Sequence, residues 1–188
     1  MRGIQLAMVL ACSSCASRPP HLAEAPSIEL VGGGGESVDL LRAARAARLT
    51  VLVFFSADCH CLDAHGARLR ALYDEYQPQR VQFFMIDSEV TASVERDQVE
   101  ARRRGYPFPI LLDRAARLAG SLSAEYATYS VVLDAGGRVR YAGGIDSDKT
   151  HLRGDATPYL KNAIDDLLDG RSPRVGSAEA LGCALERW

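Results

Sequence analysis

The sequence has no apolar run that approaches the roughly 20 residues a membrane-spanning helix needs, and it carries little net charge. Its 188 residues include 22 Lys and Arg against 24 Asp and Glu, a formal net charge of −2 at pH 7. Nucleic-acid binders carry a clear basic excess, so this composition excludes a nucleic-acid packager as well as a polytopic membrane protein. The sequence also lacks internal repeats and a phosphate-cradling glycine loop after a strand, so no organic cofactor is implied. Hydrophobic residues at 47% and charged residues at 24% are typical of one folded domain with a modest appendage.

The first residues predict export. Met1-Arg2-Gly3 supplies a positive charge, an apolar stretch runs from Ile4 to Ala11, and Cys12 follows, a pattern that resembles a bacterial signal with a lipidated cysteine. We therefore expect residues 1–11 to be an export signal and Cys12 to be the lipid attachment point. Residues 12–35, which end in Gly32–Gly35, are expected to be a tether and linker. This interpretation places the protein in the bacterial cell envelope, facing the periplasm and anchored to the membrane by its lipid.

Hydrophobic patterns predict strands that alternate with helices. Continuous apolar runs at residues 50–55 and 81–86 predict buried strands, and Asp134-Ala135-Gly136-Gly137 predicts the turn of a β-hairpin. The expected helices cover residues 37–48 (with Ser37 as N-cap), 62–76, 95–104, 114–122 and 155–168, and a short strand covers residues 110–112. This order predicts an α/β domain over residues 36–172, in which helices flank a central mixed sheet whose last strands are antiparallel. Residues 173–188 are expected to be a C-terminal tail that carries Cys183.

The segment with the candidate catalytic residues follows the first predicted buried strand and contains Cys59, His60, Cys61 and His65. A thiolate at the start of a helix is stabilised by the helix dipole and by unpaired N–H groups, so we expect a thiol pKa below about 8.5. Cys61 and His65 are four residues apart and share a helix face. His65 is therefore expected to lower the pKa of the thiol, to donate a proton to a leaving thiolate or to complete a metal site.

The number of cysteines favours a redox site or a metal site but does not distinguish between the two. Of five cysteines, three remain in the folded part once Cys12 and Cys15 are set aside. Three thiols in an exported chain fit a redox site or a metal site better than a structural disulfide. In the redox interpretation, Cys59 attacks a partner disulfide and a second cysteine resolves the mixed disulfide. A Cys59–Cys61 bond would close a very small, strained ring, so Cys183 is the better resolving cysteine if the tail folds back.

Two other interpretations remain open. Two thiolates and an imidazole from Cys59, Cys61 and His65 suit copper or zinc, with Cys183 as a fourth ligand. Alternatively, the domain is a tethered binding module with a degenerate site. The presence of three thiols in an exported chain argues against a binding module.

Three stretches together carry a family resemblance. The strand–cysteine–helix unit, the segment Arg103 to Asp113 with its Tyr106-Pro107-Phe108-Pro109, and the segment Tyr129 to Val139 resemble thioredoxin-like redoxins. These form the alkyl hydroperoxide reductase and thiol-specific antioxidant superfamily, which includes envelope-tethered thiol–disulfide oxidoreductases. The resemblance covers about residues 36–170. It implies a thioredoxin-like fold, Cys59 as the nucleophile, and protein thiols or disulfides of the cell envelope as partners.

The sequence also departs from the family pattern. The usual second cysteine lies three residues after the first, where this chain has Leu62, and Cys61 stands where the motif commonly has proline. The family's cis-proline is replaced near Thr128, where peroxiredoxins have an arginine that supports the peroxide. The peroxiredoxin proline seven residues before the cysteine is Leu52. These departures alter dithiol exchange and make thiol peroxidase activity the weaker interpretation.

Overall fold

The apolar run at residues 50–55 forms the central strand of the domain. The computed structural model describes residues 24–187, so the predicted export signal and Cys12 lie outside the described residues. The strands are β1 (Glu29–Val31), β2 (Ser37–Asp39), β3 (Leu49–Phe55), β4 (Val81–Asp87), β5 (Ile110–Leu112), β6 (Ser130–Asp134) and β7 (Val139–Gly143). The helices are α1 (Leu40–Ala46), α2 (His60–Tyr76), α3 (Val94–Arg104), α4 (Arg117–Ser121) and α5 (Tyr159–Leu168), with 3₁₀ turns at Gln77–Gln79 and Arg114–Ala116. Within residues 24–187, no helix combines the length and the apolar character that crossing a membrane requires.

The seven strands form one mixed sheet in the order β2-β1-β5-β4-β3-β6-β7. Strands β3, β4 and β5 are parallel, whereas β6 and β7 are antiparallel, as the sequence predicts. Every residue of β3 is buried, and β3 lies between β4 and β6 in the sheet. The carboxyl ends of β3, β4 and β5 therefore lie along one edge of the sheet, together with the start of β6 and the end of β7.

The amino-terminal part of the domain differs from the prediction. Gly32–Gly35, expected to be a linker, form the turn between β1 and β2, and Gly35 adopts a φ of +82° that glycine reaches at little steric cost. Residues 37–39, expected to be helical from an N-cap at Ser37, pair with β1 instead. Asp39 is the N-cap of α1, because its side chain accepts a hydrogen bond from the Arg42 N–H at 3.0 Å. Because residues 37–39 pair with β1, the helix begins only after Asp39, the next residue that is able to cap it.

The C-terminal tail returns across the carboxyl edge of the sheet. Ser177 pairs with Ala142 at the end of β7, and Ala184 pairs with Tyr126 in the loop before β6. The Ala127 N–H also donates a hydrogen bond to the Cys183 carbonyl at 2.9 Å. The tail is therefore attached by its backbone on both sides of residues 179–182.

Arg104, the last residue of α3, supports the loop that connects β3 to α2. Its guanidinium donates to the Ala57 carbonyl at 2.6 Å, pairs with Asp63 at 2.7 Å and lies 5.1 Å from the centroid of the Phe55 ring. The Arg104 side chain is only 3% exposed, whereas the neighbouring Arg103 side chain is 53% exposed. The two arginines therefore form a matched pair for testing this contact.

We expect Arg104→Ala to lower the free energy of unfolding by about 2 kcal/mol, because it removes a buried side chain that packs on Phe55 and leaves the partly buried Ala57 carbonyl without its donor. Arg103→Ala should change it by about 0.5 kcal/mol or less, because exposed ion pairs contribute little. Urea denaturation of both variants measures the difference. Equal effects would contradict the structural role given to Arg104.

Candidate active site

Cys59 lies at the end of the loop that connects β3 to α2. It is the N-cap residue of α2, and its Sγ accepts a hydrogen bond from the Leu62 N–H at 3.4 Å. The Cys59 side chain is fully buried, and Cys61, in the first helical turn, is 4% exposed. The structure thus places both cysteines at the helix start that the sequence pattern predicts.

Cys183 completes a cluster of three thiols. The Sγ atoms of Cys59, Cys61 and Cys183 all lie within 4.8 Å of one another, and all three cysteines are free thiols. Gly182 makes this approach feasible, because a Cβ there would lie 1.6 Å from the Ala127 carbonyl oxygen and 2.7 Å from Thr128 Oγ1. The tail therefore does fold back over the site, as the redox interpretation of Cys183 requires.

Burial reverses the pKa shift that the sequence predicts for these thiols. Removal from water raises the pKa of Cys59 to about 12, assisted by the nearby Cys183 thiol, while the Leu62 N–H acts in the opposite direction. Burial and the proximity of Cys183 also raise the pKa of Cys61. The expected pKa below about 8.5 is therefore wrong for the reduced cluster, because desolvation outweighs the helix N-terminus.

His65 does not join the thiol cluster. Its Nδ1 donates a hydrogen bond to the Cys61 carbonyl at 2.7 Å, and its Nε2 lies 3.1 Å from Asp146 Oδ1. Burial lowers the pKa of His65, but the hydrogen bonds to Asp146 and Cys61 more than offset this effect and the pKa is raised. Arg68 also pairs with Asp146, at 2.6 Å. His65 thus links the first turn of α2 to the loop after β7, through the backbone of Cys61 and not through its sulfur.

Thr128 occupies the backbone position opposite the end of β3. Its N–H donates to the Phe54 carbonyl at 3.0 Å, and its φ is +85°, a conformation uncommon for a residue other than glycine. The Thr128 side chain is buried, and its Oγ1 has no hydrogen-bond partner among residues 24–187. The residue that stands near the family's cis-proline position therefore lies under the Gly182–Cys183 segment of the tail.

A buried carboxyl pair lies at the same edge of the sheet, and no sequence pattern indicates it. Asp87 ends β4 beside Phe55, and Asp97 lies on α3; both are almost fully buried. Burial raises the pKa of Asp97 to about 8, and the nearby Asp87 carboxylate raises it further. The pair must therefore hold a proton at neutral pH. The only available signal was two acids ten residues apart, which is too common to be informative.

Fold and site together define the class of protein. The mixed sheet ends in the antiparallel strands β6 and β7, and a cysteine lies at the start of the helix that follows the central strand. These two features define a thioredoxin-like thiol-dependent oxidoreductase. The AhpC/TSA family model matches residues 22–142, well over half of the chain, and the chain belongs to this family. The matched segment contains Cys59, Cys61 and His65 but ends before Cys183. No curated protein matches the sequence.

Solved structures show the same fold. A hypothetical protein from Sinorhizobium meliloti has a TM-score of 0.80 at 22% identity, over 89% of this chain and 94% of that one. An uncharacterized conserved protein from Geobacillus kaustophilus has a TM-score of 0.80 at 25% identity, over 92% of this chain and 94% of that one. A secreted Mycobacterium tuberculosis disulfide oxidoreductase homologous to E. coli DsbE has a TM-score of 0.52 at 18% identity, over 60% of this chain and 80% of that one. These comparisons confirm the predicted thioredoxin-like fold.

We expect the stability of the protein to fall as pH rises from about 5 to 8, because Asp97 binds a proton in the folded state that the unfolded chain has already released. One such proton corresponds to a slope of about 1.4 kcal/mol per pH unit. Asp97→Asn should flatten this dependence, since an amide donates to Asp87 without titrating. Urea denaturation at pH 5, 6.5 and 8 measures the slopes. Parallel slopes for the wild type and the variant would contradict the shared proton.

Proposed function

We propose that the protein exchanges disulfides with protein partners, with Cys59 and Cys183 as the redox pair. The observation that carries this proposal is the cluster of three free thiols at the start of α2, with every Sγ within 4.8 Å of the others. Two of these sulfur atoms can form a disulfide once their side chains move together to the roughly 2.05 Å of an S–S bond. The pair supplies two electrons, so the reaction requires no organic cofactor.

The exchange balances in two steps. One thiolate attacks a sulfur of the partner disulfide, which forms a mixed disulfide and releases one partner thiolate. The second thiolate of the pair then attacks the protein sulfur of the mixed disulfide, which forms the Cys59–Cys183 bond and releases the other partner thiolate. Both released thiolates take up the protons that the two cysteines lost. The partner disulfide is thus reduced to a dithiol while the pair is oxidised, and the reverse sequence oxidises a partner dithiol.

Two features favour Cys183 over Cys61 as the partner of Cys59. The Cys59–Cys61 ring is very small and strained, whereas Cys59 and Cys183 meet from separate segments of the chain. Cys183 is also the one thiol of the cluster that is partly exposed, so it can meet both Cys59 and a partner. Cys61 then remains as a third, buried thiol beside the pair.

The setting of this activity is also part of the proposal. The charged start, the apolar stretch to Ala11 and Cys12 support export and lipid anchoring, so we place the domain in the bacterial cell envelope, facing the periplasm. Its partners there would be protein thiols or disulfides. An oxidising compartment is where a resting disulfide persists. Thiol peroxidase activity is the less favoured alternative, because Leu52 and the region of Thr128 depart from the peroxiredoxin pattern.

Binding or delivery of a soft metal is the second candidate function. Thiolates select copper(I) and zinc over harder ions, and a bound cation would offset the cost of ionising buried thiols. The ligand set would be Cys59, Cys61 and Cys183, because both ring nitrogens of His65 are engaged by Cys61 and Asp146. Three sulfur ligands suit copper(I) better than zinc, whose structural sites have four ligands.

We expect Cys59→Ser to abolish turnover of a protein disulfide, because the one pair that remains, Cys61 and Cys183, lacks the sulfur of the N-cap residue of α2. The assay uses the full chain with Cys12 and Cys15 replaced by serine, so that the remaining thiols are those of the cluster. This protein is the parent of all the variants below. Reduction of insulin disulfides gives the rate, and mass spectrometry after acid alkylation counts the free thiols. The oxidised parent should retain one free thiol of three. Unchanged turnover in Cys59→Ser would disprove the redox proposal.

If the protein binds copper(I), two other variants should differ in how well they retain the metal. Cys183→Ser should weaken copper(I) retention at least tenfold, because it removes one of three ligands, whereas His65→Ala should leave retention close to that of the parent. Competition with a chromogenic copper(I) chelator measures both. Full retention in Cys183→Ser, or no retention in the parent, would rule out the proposed ligand set.

A further inference from the structure

The three thiols differ in their access to a partner. Cys59 is fully buried and Cys61 is 4% exposed, while Cys183 is partly exposed. Thiol–disulfide exchange requires direct contact between the attacking sulfur and a sulfur of the disulfide. In the folded state, a protein-sized partner can therefore reach Cys183 but cannot reach either cysteine of α2.

The exposure of Cys183 is not that of a loose chain end. The Cys183 carbonyl accepts from the Ala127 N–H at 2.9 Å, and the Leu185 N–H donates to the Glu125 carbonyl at 2.9 Å. Gly182 packs directly against the Ala127 carbonyl. These contacts hold the Cys183 sulfur between solvent and the other two thiols.

We propose that Cys183 is the first thiol to react with a partner disulfide and that Cys59 acts second, as the internal thiol. The inference rests on the proposed redox function and reverses the roles that the family resemblance assigns to the helix cysteine. The Cys183 thiolate forms the mixed disulfide with the partner and displaces the first partner thiolate. Cys59 then attacks Cys183 Sγ, which closes the Cys59–Cys183 bond and displaces the second. Each displaced thiolate takes the proton of the cysteine that attacked.

The order of reaction is tested with dithiobis(nitrobenzoate), an aromatic disulfide that releases one coloured thiolate at each step. The reduced full chain with Cys12→Ser and Cys15→Ser is mixed with the reagent in a stopped-flow instrument. Cys183→Ser should slow the first release at least tenfold. Cys59→Ser combined with Cys61→Ser should keep the first release within about twofold of the parent and stop at one equivalent. If these two results are exchanged, a cysteine of α2 reacts first and the inference is overturned.

A second pair of variants tests the tail without removing a thiol. Gly182→Ala should disturb the docking at Ala127, so that the first release persists and the second slows at least tenfold. Gly176→Ala serves as the matched control, because a Cβ there meets no atom within 4 Å. If Gly182→Ala instead leaves both releases at parental rates, the docked tail does not position Cys183 and the inference is overturned.

The same experiment separates this inference from the redox proposal. If the parent accumulates stable adducts and forms no internal disulfide by mass spectrometry, the proposed function itself fails. If the internal disulfide forms but Cys183→Ser retains the fast first release, only the order of reaction is wrong.

Discussion

The docking of the C-terminal tail on the carboxyl edge of the sheet is the contact on which the site depends. Without it, Cys59 and Cys61 at the start of α2 would have no third thiol beside them. The attachment consists of backbone hydrogen bonds at β7 and in the loop before β6, together with the close approach of Gly182. Each such hydrogen bond contributes about 1 kcal/mol net. Leu185 of the tail also joins the hydrophobic core, so both backbone hydrogen bonds and apolar packing assemble the site.

Two opposing effects act on the sulfur of Cys59. The start of α2 directs an N–H group at Sγ, which favours the thiolate, but burial removes water from the same atom, which favours the thiol. Burial prevails in the reduced, closed state. A buried cluster of neutral thiols can lose its protons with little penalty in two ways, by forming a disulfide or by binding a cation. Both proposed functions follow from this one electrostatic constraint.

Much of the fold could be predicted from the sequence, because β3, β4 and the β6–β7 hairpin have strong local patterns. The first hairpin could not, because three-residue strands carry too little pattern and Gly32–Gly35 resemble a linker as much as a turn. In the site, the positions of Cys59 and Cys61 follow from the local strand-to-helix pattern. The ring orientation of His65 and the pairing of Asp87 with Asp97 depend on contacts distant in sequence, which spacing along one helix cannot reveal.

The departure at Leu62 explains why the tail matters. Leu62 is fully buried in the core, and its N–H supports Cys59 Sγ, so the position where the family usually has its second cysteine serves packing here. The family match ends at residue 142, yet the chain continues past α5 and brings Cys183 to within 4.8 Å of Cys59. A third sulfur beside Cys59 and Cys61 is thus supplied by a segment outside the matched region. A resemblance confined to the matched residues therefore identifies Cys59 but not Cys183, the residue that we propose as its redox partner.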